Sequence, residues 1–459
     1  MRKLWITLSA VVLAVIFILL VTPLMMGLWI QKSYPPMIKQ FDTPHVTFEP
    51  AHFKRGWFRS QVQIQVVFHS AEMTLSGESI PLAQLTIDQE IQHGPLVRQT
   101  RMDGSRHWMI ARAALHNESR ADNLNFKANT LWTMANHITT ELNIPHLLVG
   151  NDRQRIEMNQ LAGTINFTPG DKHFQTQLSL ANGVLYANNP EKVGNNIIDL
   201  VKVMELDNFV TRLDIRKTNM LWYGARHFEA QKIMIFPYGS NAITADNVAI
   251  DLNQDQQGDL TNFNLSNQIG SLTDGQFKID QVQLALVLKN MNTALLESFA
   301  HVFMYGSDFQ RFKLYSVLVD LFTKGMAVDL DRFQFNTSDG PVSIQAHLAS
   351  PTTDSEHAGL LHLFENLNIQ ASANVPKAWL KKNLTVYYQT KKSENPNLKG
   401  NPDVIAQHYL DHWLTHRLLV PQDQQVSMAI NYKDGHLLVN GEKPALDNFI
   451  FNESLNDLK

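Results

Sequence analysis

The chain has 459 residues, 44% hydrophobic and 18% charged, a balance that is typical of a packed globular protein and excludes a disordered polar tail. It has no cysteine, which excludes disulfides, thiolate metal ligands and cysteine nucleophiles. The net charge of −4 lacks the basic excess that general nucleic-acid binding needs, so we expect no nucleic acid among its partners.

The N-terminal segment predicts a membrane anchor. Leu4 to Ile30 has no charged side chain and is flanked by Arg2-Lys3 and Lys32. As a helix it would measure roughly 40 Å, more than the ~30 Å hydrocarbon core of a bilayer. A cleaved signal peptide is the alternative, but it needs small residues at the cleavage site, and large residues surround Pro23. We therefore expect an uncleaved signal anchor that contacts the lipid bilayer, with residues 1–3 in the cytoplasm and the rest of the chain exported.

The segment after the anchor predicts a stalk. Residues 31–50 include Pro35, Pro36, Pro44 and Pro50 and few periodic apolar residues, which favours a stiff extended chain. We expect one ordered, β-rich domain over residues 51–459, which could divide into two subdomains near 290–325.

Alternation of apolar and polar residues with a period of two dominates the domain and predicts strands. They are expected at Val62 to Phe68, Ala83 to Ile91, Leu161 to Phe167, Phe174 to Leu180, Arg212 to Leu221, Phe228 to Phe236, Ala242 to Leu252, Gly275 to Leu288, Val328 to Phe335, Val342 to Leu348, Leu367 to Ala373, Val426 to Tyr432 and His436 to Val439.

Apolar residues spaced by three or four predict a few helices between these strands. They are expected at Leu131 to Leu142, Lys192 to Leu206, Met291 to Met304, Asp308 to Thr323, Pro376 to Leu384 and Pro402 to Leu419. Gly325 is placed to stop the fourth of them, whose core-facing stripe we expect to include Tyr315, Leu318 and Phe322. The fold class is thus α+β and β-rich: an N-terminal transmembrane helix followed by large, mostly antiparallel twisted sheets with a few covering helices.

Three short motifs resemble a known family. Phe53-Lys54-Arg55-Gly56-Trp57-Phe58-Arg59-Ser60, His93-Gly94-Pro95 and the C-terminal hairpin from Ala429 to Lys443 are similar in order and spacing to those of YdgA-like bacterial envelope proteins, a domain of unknown function. The resemblance covers nearly the whole chain, although Leu96 stands where an aromatic residue is usual. It implies a protein anchored in the inner membrane of a Gram-negative bacterium, with the domain in the periplasm, and no known reaction.

The same motifs have a structural interpretation. In Arg55-Gly56-Trp57-Phe58, Gly56 can take a positive φ that bends the chain, and burial of Trp57 or Phe58 would hold the bend. His93-Gly94-Pro95 predicts a strand end followed by a turn. Asp434-Gly435 and Asn440-Gly441 predict two hairpin reversals.

The candidate metal ligands are weak. His408, His412 and His416 recur at four-residue spacing on one predicted helix, and two of them could share a zinc ion, but a polar helix face explains the same pattern. Nucleophile elbow, phosphate loop, dinucleotide fingerprint and zincin motif are all missing from the sequence, so we predict no catalytic residue and no cofactor.

Three functions stay open. We favour an anchored envelope scaffold or interaction protein with a protein partner, as a monomer or a homo-oligomer. A lipid-handling protein, similar in layout to the AsmA-like group, would need a continuous apolar trough across many strands. A metal-dependent enzyme would need a cleft in which histidines and carboxylates converge.

Overall fold

The computed structural model describes residues 21–39, 42–43, 46–73, 79–121, 124–150, 154–188, 200–275, 277–305, 313–350, 366–394 and 400–444. The chain divides into two compact units. The first comprises Met1–Arg216 and Phe228–Ala242, and the second comprises Lys217–His227 and Ile243–Lys459. Strand β12 (Leu221–Ile235) contributes residues to both units.

The first unit is an antiparallel sheet, with one helix among its described residues. The helix, α1, covers residues 21–38. The strands are β1 (Val46–Arg55), β2 (Arg59–Met73), β3 (Ser79–His93), β4 (Val97–Thr100), β5 (Arg106–Met109), β6 (Ala111–Ala121), β7 (Leu124–Thr133), β8 (Ile138–Gly150), β9 (Gln154–Thr168), β10 (His173–Asn188) and β11 (Leu200–Thr218). Antiparallel pairing runs in the order β1-β2-β3-β6-β7-β8-β9-β10-β11, and β4 pairs with β5 as a separate hairpin.

Helix α1 packs on the core of this sheet. Ile30, Tyr34 and Ile38 follow at intervals of four, so they share one helical face, and all three are buried in the cluster that includes Val62 and Ile64 of β2. The predicted extended stalk is therefore wrong for residues 31–38, which are helical. The prolines predict an extended chain, but burial of this apolar face stabilises a helix that includes Pro35 and Pro36.

The second unit is also an antiparallel sheet, with four helices in the part of it that the structure describes. The strands are β13 (Ile243–Gln257), β14 (Leu260–Thr273), β15 (Lys278–Asn292), β16 (Ala327–Thr337), β17 (Gly340–Ala349), β18 (Asn368–Pro376), β19 (Val420–Gln422), β20 (Gln425–Lys433) and β21 (His436–Val439). The helices are α2 (Thr293–Tyr305), α3 (Lys313–Thr323), α4 (Lys377–Glu394) and α5 (Pro402–Thr415). Pairing runs in the order β13-β14-β15-β16-β17-β18-β20-β21, and β19 pairs with β20.

The β-rich, antiparallel architecture is as predicted, but two helix predictions are wrong. Leu131 to Leu142 forms the end of β7, a turn and the start of β8, with Asn136 in the left-handed conformation at φ 66°. Residues 200–206 of the helix predicted over Lys192 to Leu206 belong to β11, and the preceding part lies outside the described residues. Both segments pair with neighbouring strands along their length, and that pairing overrides the helical spacing of their apolar residues.

Helix α3 ends at Gly325 as predicted, but its buried face differs from the prediction. Gly325 has φ 91°, and the amide of Met326 donates a hydrogen bond to the Leu321 carbonyl at 3.1 Å, which is typical of a glycine-terminated helix. The buried positions are Val317 and Leu321, whereas Tyr315 and Leu318 are exposed. The helices near the break predicted at 290–325 lie inside the second unit.

Residues 4–20 of the predicted anchor lie outside the described part of the chain. Within the described ranges, no helix has both the length and the apolar character that crossing a membrane requires.

Candidate functional site

The most extensive feature of the second unit is an apolar sheet face. Residues that oppose each other in an antiparallel pair project to the same face, so the strand register defines rows of side chains across the sheet. The central row crosses eight strands and consists entirely of apolar residues: Leu252, Leu265, Leu286, Leu330, Ala346, Ala371, Ile430 and Val439. At about 4.8 Å between strands, this row extends roughly 34 Å.

Rows on both sides of the central row are also apolar. One contains Phe263, Leu288, Val328, Leu348, Ile369, Tyr432 and Leu437, and Gln254 is its polar end. The other contains Ile250, Leu284, Phe333, Ile344, Ala373 and Met428, and Asn267 is its polar exception. Together we call these three rows the apolar face. Most of its members are half-buried rather than buried.

Two helix pairs cover parts of the apolar face. Helices α2 and α3 form a cluster with Phe263, Leu288 and Val328. Helices α4 and α5 form another with Val375, Val426 and Met428. Beneath α4 and α5 lies a pocket of about 370 Å³ with an apolar lining: Ala373, Val375, Leu380, Trp413, Leu418, Leu419, Val426 and Met428. Because Ala373 and Met428 belong to the apolar face, the pocket continues that face.

Beside this pocket, the apolar face carries the small side chains of three alanines. Ala346 and Ala371 oppose each other on β17 and β18, and Ala373 follows on the same side of β18. Larger residues flank them, with Leu330 on one side and Ile430 on the other. These three small side chains cover the backbone less than their leucine and isoleucine neighbours do, and we call Ala346, Ala371 and Ala373 the alanine strip.

The opposite face of the same sheet is polar. The row next to the central one contains Asn253, Asn264, Val287, Asp329, His347, Gln370, Asn431 and Leu438. The sheet thus has one apolar face and one polar face.

Ionisable groups converge on the polar face. A shallow cleft of about 820 Å³ includes Lys289, Asp329, Asp331 and His347. Lys289 contacts Asp329 at 2.7 Å, and His347 hydrogen-bonds to the other carboxylate oxygen. Burial raises the pKa of Asp329, but these two hydrogen bonds outweigh it and hold that pKa below its usual value. The three side chains satisfy one another, which is typical of a structural ion cluster.

The candidate metal ligands lie on and just after α5. The rings of His412 and His416 are 4.1 Å apart between centroids, and Nδ1 of His416 donates to the His412 carbonyl at 2.9 Å. His408 contacts Tyr409, with ring centroids 6.1 Å apart. Over the described ranges, no group of three His, Asp or Glu side chains could hold a metal ion.

The His93-Gly94-Pro95 motif ends β3, as predicted, and also holds helix α1. His93 is 2% exposed; its Nδ1–H donates to the Pro23 carbonyl at 2.8 Å, and its Nε2 accepts from the Ser60 hydroxyl at 3.0 Å. Because a carbonyl only accepts, Nδ1 carries a proton, and in the neutral ring Nε2 is then left to accept from Ser60. Burial lowers the pKa of His93 below its usual value, and the charge of Arg55 acts in the same direction.

The interpretation of Gly56 and its aromatic neighbours is wrong in detail. Gly56 does not have a positive φ; a Cβ there would lie 2.4 Å from the Arg59 carbonyl oxygen, so the close approach of the backbone requires glycine. Trp57 and Phe58 are each 50% exposed and do not hold the bend by burial.

The C-terminal motif joins a helix end to the sheet. Asp434-Gly435 and Asn440-Gly441 take positive φ at both positions, as predicted for tight reversals. The Asn440 side chain accepts from the Ala429 amide at 2.7 Å and donates to the carbonyls of Arg417 and Leu418 at 2.7 and 3.1 Å. It therefore attaches the end of α5 to β20, beside the apolar pocket.

Sequence reasoning located most strands of the apolar face but not the face itself. Each strand alone shows alternation, and the register that aligns Leu286 with Leu330 and Ala346 depends on irregularities between Ala285 and Leu286 and between Leu330 and Phe333. Those irregularities have no distinct local signal.

Comparison with known proteins places the chain in a family. Residues 1–447 match the family described as "Bacterial protein of unknown function (DUF945)", so the chain belongs to that bacterial family. This confirms the resemblance at the level of a bacterial family of unknown function. No curated protein and no solved structure matches the chain.

Proposed function

We propose that this member of the DUF945 family is a membrane-anchored lipid-handling protein, whose apolar face in the second unit binds the acyl chains of a lipid. The observation that carries the proposal is the central row, which is apolar in all eight strands. Anchoring through the part of the apolar segment that precedes α1, residues 4–20, with the domain in the periplasm, is part of the same proposal and rests on the sequence, because Ile30 and the rest of the buried face of α1 pack on the sheet.

The size and chemistry of the apolar face suit an acyl chain. A bilayer core of ~30 Å holds two acyl chains end to end, so one chain needs about half the length of the central row. Each methylene group that leaves water for an apolar site gains about 0.8 kcal/mol. The pocket beneath α4 and α5 would accept the chain end, and a polar headgroup would stay outside the apolar rows.

The scaffold function that the sequence favoured stays a prediction. It would gain support from a sheet that its helices cover and pack completely, whereas among the described residues the helix pairs form clusters with only parts of the apolar face. We therefore rank lipid handling first.

Lipid occupancy of paired variants tests the proposal. Ala371→Trp places a large side chain on the alanine strip, and Ser372→Trp adds the same side chain at the next residue of β18, which is exposed on the polar face. The full chain would be purified from membranes in mild detergent, and bound lipid per protein would be measured by native mass spectrometry. Lipid around the anchor is common to both variants, so their difference reports the sheet.

We expect Ala371→Trp to lose bound lipid relative to the unchanged chain and Ser372→Trp to retain it. Ala346→Phe, on the facing strand, is a second filling variant with less added volume, and thermal unfolding checks that each variant folds. Equal lipid content in folded Ala371→Trp and Ser372→Trp would exclude acyl-chain binding on this face.

A further inference from the structure

The first unit has a cluster of exposed apolar side chains at one end of its sheet. Trp57, Phe58, Trp108 and Ile110 are 50%, 50%, 65% and 75% exposed. Leu96 and Met134 are also exposed. Single exposed apolar residues are ordinary, but a contiguous group marks an interaction surface. We call these six residues the sheet-end patch.

Backbone contacts bring the segments of the sheet-end patch together. The His93 amide donates to the Phe58 carbonyl at 3.0 Å, which joins the β1-β2 turn to the end of β3. The Gly94 amide donates to the Arg112 carbonyl at 3.2 Å, next to Ile110. The Arg112 guanidinium donates to the Met134 carbonyl at 3.0 Å, which adds the β7-β8 turn. The patch is therefore formed by neighbouring turns at one end of the strands.

Basic residues surround the sheet-end patch. Residues 54–59 and 93–112 together contain seven Lys and Arg and one acidic residue, Asp103, in a chain whose net charge is −4. Glu90 of the neighbouring strand pairs with Arg59 at 3.2 Å, between exposed side chains. This end of the unit is thus strongly basic although the protein as a whole is acidic.

Helix α1 connects this end of the sheet to the apolar N-terminal segment. His93 binds the Pro23 carbonyl at 2.8 Å, and a Cβ at Gly94 would lie 3.1 Å from the Pro23 ring. The rings of Trp29 and Trp132 are tilted against each other with their centroids 4.7 Å apart, and the Arg112 guanidinium lies 5.0 Å from the centroid of the Trp29 ring. The described end of the apolar segment, residues 21–30, therefore lies next to the sheet-end patch.

We infer that the sheet-end patch lies in the interface of an anionic phospholipid bilayer. Tryptophan is enriched at the headgroup level of membranes, and Lys and Arg side chains are attracted to an anionic lipid surface. The inference rests on the proposed anchoring, because the anchor brings the patch to the bilayer. It goes further in fixing the orientation: the β1-β2 and β7-β8 turns and the segment around Ile110 face the membrane.

The cysteine-free chain allows a direct test with single labels. Ile110→Cys within the patch and Glu49→Cys on β1 would each carry an environment-sensitive fluorophore; Glu49 is exposed and lies roughly 25 Å along the strand from the β1-β2 turn. The full-length protein would be reconstituted into vesicles of phosphatidylethanolamine and phosphatidylglycerol. Brominated acyl chains quench a fluorophore that lies in or near the hydrocarbon. Met134→Cys provides a second patch position.

We expect a blue shift and quenching at residues 110 and 134, and neither at residue 49. Replacing the exposed Lys54, Arg55 and Arg98 with Gln should reduce the quenching, and the same replacement of Lys381, Lys382 and Lys391 should not. Protein that floats with the vesicles while all labels stay water-exposed would overturn this inference alone. Protein that fails to float would overturn the anchoring and this inference together.

Discussion

Gly27→Ala should loosen helix α1 although alanine is the better helix former. A Cβ at residue 27 would lie 2.6 Å from Cε1 of His93, about 0.8 Å inside ordinary contact. The His93 ring cannot move freely because Pro23 and Ser60 bind its two nitrogens. Overpacking costs about 1–3 kcal/mol and each weakened hydrogen bond about 0.5–1.5, against a gain of about 1 kcal/mol in helix propensity. We expect a net loss on the order of 2 kcal/mol.

Amide hydrogen exchange over residues 21–38 measures this loss as a free energy of local opening. Gln31→Ala, on the exposed side of α1, is the matched control and should change little. In a His93→Ala background the clash disappears, so Gly27→Ala should there become neutral or stabilising. The same destabilisation in both backgrounds, or a more protected helix in the single variant, would refute the contact between Gly27 and His93.

Three further predictions concern polar side chains and their hydrogen bonds. The lowered pKa of His93 means that the unfolded chain binds a proton at this residue more readily than the folded chain does. The contribution of neutral His93 to stability is therefore complete above pH ~6.5 and is lost as the pH falls through the folded-state pKa. Thermal unfolding as a function of pH should show this loss in the unchanged chain and not in His93→Gln. Asn440→Ala removes three hydrogen bonds and should lower the free energy of unfolding by about 1–3 kcal/mol, whereas exposed Asn431→Ala on the same hairpin should cost under about 0.5 kcal/mol in denaturant unfolding. Tyr34→Phe leaves the buried Gln89 oxygen without its donor and should cost about 1–3 kcal/mol, and an unchanged free energy of unfolding would contradict that hydrogen bond.

The sequence predicts the strands better than the surfaces they form. A period of two is a local property, so most strands were found, and the glycine that ends α3 was found from its residue type and position. Contacts between residues that are far apart in the chain cannot be predicted from such local patterns. His93 was predicted only as a turn residue, because its partner Pro23 lies 70 residues earlier in the chain.

Errors arose where one local signal competed with a tertiary contact. Pro35 and Pro36 favour an extended stalk, whereas the four-residue spacing of Ile30, Tyr34 and Ile38 indicates a buried helix face less strongly. Trp57 and Phe58 were expected to be buried because large aromatic residues usually are, and their exposure identifies the sheet-end patch. Predicting the apolar face would have required the register of every strand pair.

Site-specific photocrosslinking tests the central claim, acyl-chain binding on the apolar face, most directly. Leu286 and Val287 are consecutive residues of β15; Leu286 belongs to the central apolar row, and Val287 opposes Asp329 on the polar face. A photoreactive side chain would replace each residue in turn, and the protein would be irradiated in its native membrane. The account predicts peptide adducts with lipid acyl chains at residue 286 and not at residue 287. Adducts with protein alone at residue 286, or equal lipid labelling at both residues, would contradict it.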